Sequence, residues 1–349
     1  MGLNDLSLVD LFSGAGGFLV GFKKAGYNPI FCVENWAPCI ETHEYNFPKV
    51  KLINKSIEKI SNSEIKKHIN GKKIDVIVGG PPCQGFSTIG KRLIKDPRNK
   101  LVFEFIRFLK IIKPKVFLME NVRGLASSKN GKTRQLIEKE FVQAGYHNVN
   151  SNVLCAADYG IPQLRYRVFF IGVRKDLDIN IELPQFTHSK KHYNVVGNSI
   201  MDLVGKENKI PNHIPMNHNE IVRNRMKYIP EGGGLPKNGV PQKYIYGSRS
   251  DYANNRLKNF SHIYKRLHRK RPSTTMVPGH NAFPLHPTEN RALTVREAAR
   301  IQTFDDDIVF KGTRQEQCIQ VGNAVPVKLA SIFAKHIKSS LNGVTPHVK

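Results

Sequence analysis

The sharpest chemical feature of the sequence is Gly79-Gly80-Pro81-Pro82-Cys83-Gln84-Gly85-Phe86-Ser87, where two prolines stiffen the backbone just before a thiol. A cysteine within an apolar periodic run is an inert small hydrophobe. One between Pro-Pro and Gln-Gly is a loop thiol held at a fixed point. A thiolate is a soft nucleophile suited to adding to an electron-poor conjugated carbon, and this addition needs a proton donor on the far side of the acceptor. Glu120, within Met119-Glu120-Asn121-Val122, is the candidate donor if its carboxyl keeps a proton against a hydrophobic strand; the alternative is an ordinary capping or salt-bridging glutamate. In Gln163-Leu164-Arg165-Tyr166-Arg167 two guanidinium groups stand at i and i+2, on one face of an extended segment. They are suited to orienting a carboxylate, a phosphate or a carbonyl oxygen.

A second group of residues suits a nucleotide-like ligand. Asp10-Leu-Phe12-Ser-Gly14-Ala-Gly16-Gly17 follows an apolar run and opens a helical pattern, with glycines that permit positive φ and a close approach of ligand to backbone. The run is not the G-x-G-x-x-G of a pyrophosphate cradle, so it reads either as a ligand turn or as a tight strand-to-helix turn. Glu34 lies twenty residues after Gly14, where an acidic side chain can accept hydrogen bonds from the ribose hydroxyls of an adenosyl group. The sole tryptophan, Trp36, either stacks on adenine or packs in the core.

These residues need a scaffold, and the hydropathy pattern supplies one. Leu6–Phe12, Pro29–Glu34, Ile74–Gly79 and Lys115–Glu120 are continuous apolar runs of the kind found in strands covered on both faces, and Val168–Val173 reads as a further strand. Between them lie amphipathic stretches, clearest at Leu101–Ile112, where Val102, Phe105, Phe108, Leu109 and Ile112 recur at helical spacing before Pro114. Such alternation predicts βαβ units and a mostly parallel sheet, with Gly14, Glu34, Cys83 and Glu120 all emerging at strand carboxyl ends.

From about residue 175 to 290 the texture turns to Asn, His, Pro, Gly and Lys, the mark of a separate loop-rich domain; helical periodicity returns at Arg296–Phe304 and Lys328–Leu341. Of the 349 residues, 54 are Lys or Arg and 28 Asp or Glu, a net charge of +26 that suggests a polyanionic partner, nucleic acid or, on charge alone, an anionic membrane surface. Tyr252–Pro287 contains no acidic residue; Arg256, Lys258, Lys265, Arg266, Arg269, Lys270 and Arg271 alternate there with Phe260, His262, Tyr264 and His268, a mixture suited to phosphates and stacked bases. With no apolar run near 18 residues and a mean hydropathy of -0.37, a transmembrane helix is excluded. The five cysteines are scattered, without any C-x-x-C, so neither a disulfide framework nor a metal site is expected. No secretory or lipid-anchor signal is visible at the N-terminus, and the expected compartment is the reducing cytoplasm.

Taken together, six blocks in order resemble the cytosine-5 DNA methyltransferases: Asp10–Gly17, Pro81-Pro82-Cys83-Gln84, Glu120-Asn121-Val122, Gln163-x-Arg165-x-Arg167, Arg291–Phe304 and Gln320-Val-Gly-Asn323-Ala-Val-Pro326. The resemblance covers almost the whole chain. It implies an α/β fold: a Rossmann-like S-adenosylmethionine-dependent methyltransferase sheet (1–180 plus 312–349) with a smaller, loop-rich target-recognition domain (181–311). It implies S-adenosylmethionine as methyl donor, held by Phe12, Gly14, Gly16, Glu34, Trp36, Pro82, Leu101, Asn323 and Val325. Cys83 is then the nucleophile toward C6 of a cytosine flipped from double-stranded DNA, Glu120 stabilises or protonates N3, and Arg165 and Arg167 position the base. DNA contacts are expected from Gln84, Ser87, Arg256, Lys258, Arg269, Arg271, Thr274 and Thr275, the last three in a segment resembling a recurrent one late in the recognition region. One departure is Lys55-Ser56-Ile57, where the family usually has Gly-Asp-Ile with the Asp on the adenine amino group. The enzyme is expected to act as a monomer, away from membranes, alongside a cognate restriction endonuclease. Rival readings are a tRNA cytosine-5 methyltransferase and a catalytically inactive DNA-binding relative.

Overall fold

Residues that strongly favour extended backbone arrive here in short, nearly unbroken apolar runs because the sheet they build is covered on both faces. The computed structural model describes residues 5–82, 100–236, 238–245, 264–277 and 283–343, and the chain separates into two compact units. The first comprises Met1–Tyr159, Tyr166–Thr187 and Ala324–Lys349. Its strands are β1 (Leu6–Leu11), β2 (Tyr27–Glu34), β3 (Leu52–Asn54), β4 (Val76–Gly79), β5 (Val116–Val122) and β6 (Tyr146–Cys155). A two-residue strand, β7 (Gln163–Leu164), belongs to the second unit, and β8 (Tyr166–Arg174) returns to the first. The sheet order is β3-β2-β1-β4-β5-β8-β6. β1 to β5 pair in parallel, whereas β8 runs antiparallel to both β5 and β6.

Helices α1 (Gly17–Lys24), α2 (Ala37–Asn46), α3 (Asn62–Ile69), α4 (Lys100–Ile112), α5 (Arg123–Ser127) and α6 (Lys132–Gln143) connect these strands. In α4 the residues Val102, Phe105, Ile106, Phe108, Leu109 and Ile112 are buried, the stripe that the 3.6 period predicts. α3 starts with a capping box in which Ser61 and Glu64 satisfy each other's backbone N–H. The C-terminal helix, Val327–Leu341, packs on α1. Their approach is so close that a Cβ on Gly21 would lie 2.5 Å from Ala330 Cβ and 2.7 Å from Val327 O, which only glycine permits. None of the described helices is long and apolar enough to cross a membrane.

The second unit, Gly160–Arg165 with His188–Asn323, has little regular structure. It contains α7 (Gly197–Ile200), α8 (Glu220–Met226), β9 (Ser273–Thr274), α9 (Val295–Ile301) and α10 (Arg314–Asn323), and β7 pairs with β9. Loops leave backbone carbonyls without ladder partners, and buried guanidinium groups supply the missing donors. Arg296, fully buried, donates to the carbonyls of Pro211, Asp305 and Ile308. Arg266 donates to those of Met226, Ile229, His286 and Glu289 and to Asn290. This corrects one expectation: Arg266, 4% exposed, is an interior cross-link and not part of a phosphate-facing surface. The unit boundaries also differ from the expected 1–180 plus 312–349 and 181–311. Gly160–Arg165 and α10 fall in the second unit, because α10 packs on α9 and Arg165 Nη1 donates to Gly322 O at 2.8 Å.

Candidate active site

Within the first unit the parallel strands β2, β1, β4 and β5 are neighbours, so their carboxyl ends share one edge. The chain leads from β1 outward through β2 to β3, then crosses to the other side of β1 to form β4 and β5. That reversal is the switch point at which open α/β sheets leave a crevice for ligands.

The turn after β1 is tightly wound. Phe12, Gly14 and Gly16 all have positive φ, 59°, 54° and 87°. For Phe12 the left-handed conformation costs roughly 1–2 kcal/mol, strain of the sort kept at ligand-binding turns. Ser13 N donates to Val33 O at 3.1 Å and Gly14 N to Glu34 Oε2 at 2.8 Å, tying the turn to the end of β2. The second Glu34 oxygen, Oε1, accepts from Asn35 N and Trp36 N at 2.8 and 2.9 Å. Three backbone donors among the described residues thus hold a half-buried carboxylate in place, fewer than the roughly four hydrogen bonds that a carboxylate can accept. Trp36 is half-buried ahead of α2, neither fully cored nor free. At Gly17 a Cβ would come 2.3 Å from Val325 O, so the segment after α10 lies directly against the start of α1. Beneath the turn Asp10 is fully buried; burial, with the Glu34 charge adding to it, raises its carboxyl well above the ordinary value against the opposing Leu19 N–H.

β4 ends on the Gly79-Gly80-Pro81-Pro82 turn, and β5 carries Glu120 alongside it. The carboxylate is 8% exposed, and a Cβ on Gly80 would stand 3.4 Å from Glu120 Oε2. Arg167 Nε lies 3.0 Å from Glu120 Oε1, an ion pair formed because Val122 of β5 sits opposite Arg167 in the ladder. The buried Asn121 donates from Nδ2 to Pro81 O at 3.0 Å and accepts from Val122 N at 2.9 Å. Sequence reasoning missed this brace; its signal was a polar carboxamide in a strand whose neighbours are apolar. Cys83 itself, with Gln84 and Ser87, lies outside the described residues. The four described thiols, Cys32, Cys39, Cys155 and Cys318, are buried, and burial pushes each of them up, Cys318 to about 11.

The model of the family described as C-5 cytosine-specific DNA methylase matches residues 6–339. The chain belongs to that family. The methylase is 40% identical over 341 residues to Type II methyltransferase M1.HphI of Haemophilus parahaemolyticus, covering 95% of this chain and 86% of that one. It is 40% identical over 355 residues to Type II methyltransferase M.FnuDI of Fusobacterium nucleatum, covering 96% and 95%. Among solved structures, a protein encoded within an Escherichia coli prophage and described as a DNA modification methyltransferase superposes with a TM-score of 0.74 at 26% identity, over 97% of this chain and 100% of that one. The enzyme is therefore a DNA (cytosine-5-)-methyltransferase dependent on S-adenosylmethionine. The anchored Glu34 carboxylate, the open turn at Gly14 and the half-buried Trp36 ring fit an adenosyl group, which presents hydroxyls and a flat purine.

The other expected site residues of the methylase fall as follows. Leu101 and Phe12 pack partly buried against the core of the first unit, Pro82 is exposed, and Val325 is buried. Arg165 and Asn323 belong to the second unit, where the fully enclosed Arg165 guanidinium donates to Gly322 O and Asn323 O at the end of α10. The two arginines of the Gln163–Arg167 segment thus have different partners: Arg165 closes a helix terminus and Arg167 meets Glu120. Of the expected DNA contacts, Arg256 and Lys258 lie outside the described residues. Arg271 is exposed, while Arg269 is held by Glu231 through Nε at 3.0 Å and Nη2 at 3.1 Å. Thr275 donates its hydroxyl to Leu164 O at 2.9 Å, and Thr274 pairs with Leu164 in the β7–β9 ladder.

Proposed function

We propose that the enzyme methylates C5 of a cytosine flipped out of a specific double-stranded DNA sequence, by way of a covalent bond between Cys83 Sγ and C6. The observation that carries this reading is the pairing of Glu120 with the Pro81-Pro82 turn: the carboxylate lies beside Gly80, and Asn121 holds the Pro81 carbonyl, directly before the thiol in the chain. Burial of the other four thiols leaves Cys83 as the fifth and the one suited by sequence to attack.

Glu34, Trp36, Phe12, the Gly14 turn, Pro82, Leu101, Asn323 and Val325 would hold the cofactor. When bound, S-adenosylmethionine supplies an electrophilic methyl group. C5 of cytosine is too weak a nucleophile on its own, so the Cys83 thiolate adds to C6 while Glu120, entering as the carboxylic acid, gives its proton to N3 and is left as the carboxylate that Arg167 pairs with, which leaves C5 enamine-like. After methylation, with the demethylated thioether as leaving group, the C5 proton departs to a base, N3 returns its proton to Glu120, and elimination of the Cys83 thiolate restores the aromatic ring. Arg167 fixes the Glu120 carboxylate in its orientation; Arg165 acts from within the second unit by securing the Asn323 backbone. Extruding the base costs a few kcal/mol of unstacking, offset by phosphate contacts from the basic surface.

The Type II names of the relatives support a place in restriction-modification, with a cognate endonuclease acting on the same site, and the expected state is a cytoplasmic monomer. The second unit would read the recognition sequence. Bisulfite sequencing of plasmid DNA treated with the purified enzyme and S-adenosylmethionine tests the whole reading. Protected cytosines at one short sequence are expected; methyl uptake by tRNA and none by duplex DNA, or an N4-methylcytosine product, would overturn it.

A further inference from the structure

We propose that Arg123 and Tyr166 form a phosphate-binding subsite for the DNA strand that carries the target cytosine, an inference that rests on the DNA reading above. Arg123 directly follows β5, three residues after Glu120, and Tyr166 opens β8, next to the Arg167 that meets Glu120. Side chains alternate along a strand. Arg167 therefore turns to the face of Glu120, and Tyr166 to the opposite one, where it stands across from Cys155 of β6. There the Arg123 guanidinium lies over the Tyr166 ring, 5.4 Å from its centroid. Tyr166 is 40% exposed and Arg123 is exposed as well.

Arg123 differs in its partner from several other arginines of its unit and the next. Arg107, Arg134, Arg174 and Arg300 each hold a carboxylate on their own unit. Among the described residues Arg123 forms no ion pair; its guanidinium rests on a ring alone. Stacking covers the face of the guanidinium and leaves its in-plane N–H groups directed outward, the fork that recognises phosphate oxygens bidentately. It also fixes the rotamer in advance, so less side-chain entropy is lost on binding. A nucleotide whose base reaches Glu120 must carry its flanking phosphates along the rim of the same sheet edge, and the stacked arginine is exposed on that rim. The chemistry fits an anionic oxygen group and offers no pocket for a base.

The test begins with wild-type enzyme and bisulfite sequencing, which defines the methylated site. A short duplex containing that site is then bound and methylated by Arg123→Ala, Arg123→Lys and Tyr166→Ala at several salt concentrations. Arg123→Ala is expected to raise Kd and KM about tenfold, with most of the effect in KM and not in kcat. Its log Kd against log salt should be shallower by about 0.9, the loss of one phosphate contact. Arg123→Lys should recover that slope, and Tyr166→Ala should weaken binding at unchanged slope. An Arg123→Ala enzyme with wild-type KM and slope, or one that loses kcat at unchanged slope, overturns the subsite while cytosine methylation stands. A wild type that methylates no duplex DNA overturns the function on which the subsite rests.

Discussion

The roles assigned to Cys83 and Glu120 separate cleanly by experiment. Cys83→Ser keeps the cofactor-binding turn intact but replaces a soft nucleophile by a poorly ionised hydroxyl. It should still bind S-adenosylmethionine by calorimetry and form no covalent adduct with 5-fluorocytosine DNA; a trapped adduct would remove Cys83 from the mechanism. Glu120→Gln retains the shape of the side chain and can still hydrogen-bond, yet it cannot give up a proton or pair with Arg167 as an ion. A loss of about 10² to 10⁴ in kcat is expected, the range of general acid catalysis. Single-turnover methylation assays measure it, and a near-normal rate would assign the proton to another donor. Asn121 acts one step back from these groups, through the Pro81 carbonyl that it holds.

Between elements, one of the tightest contacts in the first unit joins α1 to the C-terminal helix. Gly21→Val inserts side-chain atoms where Ala330 Cβ and Val327 O leave no room, so the helices must part. An overpacking cost of about 1–3 kcal/mol is expected in urea unfolding. The movement should also weaken cofactor binding, since Val325 lies against Gly17 only four residues earlier in α1. In the second unit the buried Arg291–Glu297 pair, with bonds of 2.8 and 2.7 Å, stands at the start of α9. Burial raises the Glu297 carboxyl, but the Arg291 hydrogen bonds and charge outweigh it, so the net shift is below the ordinary 4.5. A depressed folded value means the stabilisation is complete above pH 4.5 and is lost as pH falls through that folded value. Glu297→Ala should therefore cost about 2 kcal/mol at pH 7, from the charge-assisted hydrogen bonds lost at Arg291, which keeps Glu289 as a partner, and progressively less in acid. Equal costs at pH 7 and pH 3 would show that the pair contributes packing alone.

For the molecule as a whole the dominant quantity is the net charge of +26. Binding to duplex DNA should weaken steeply with added salt, with a log-log slope of about -0.9 for each phosphate neutralised. A flat response in fluorescence anisotropy titrations would point to an interface made without phosphates. Not all of the positive charge can serve that surface: Arg165, Arg266 and Arg296 are interior, and Arg269 is held by Glu231.

What the sequence by itself determined was local. The β4 strand leading into Gly80-Pro81-Pro82, the Glu120 strand, the glycine turn with Glu34 and the α4 stripe were legible because each depends on neighbours within a few residues and on the 2.0 and 3.6 periods. Strands β3 and β6 were not. β6 reads Tyr-His-Asn-Val-Asn-Ser-Asn-Val-Leu-Cys, polar because it is the outermost strand and pairs with β8 alone. The parting of Arg165 toward α10 and Arg167 toward Glu120 was equally hidden. A guanidinium pairs with whatever carbonyl or carboxylate the chain brings within about 3 Å. Gly322 lies 157 residues from Arg165, so only the tertiary structure decided which charges close the fold and which remain for the substrate.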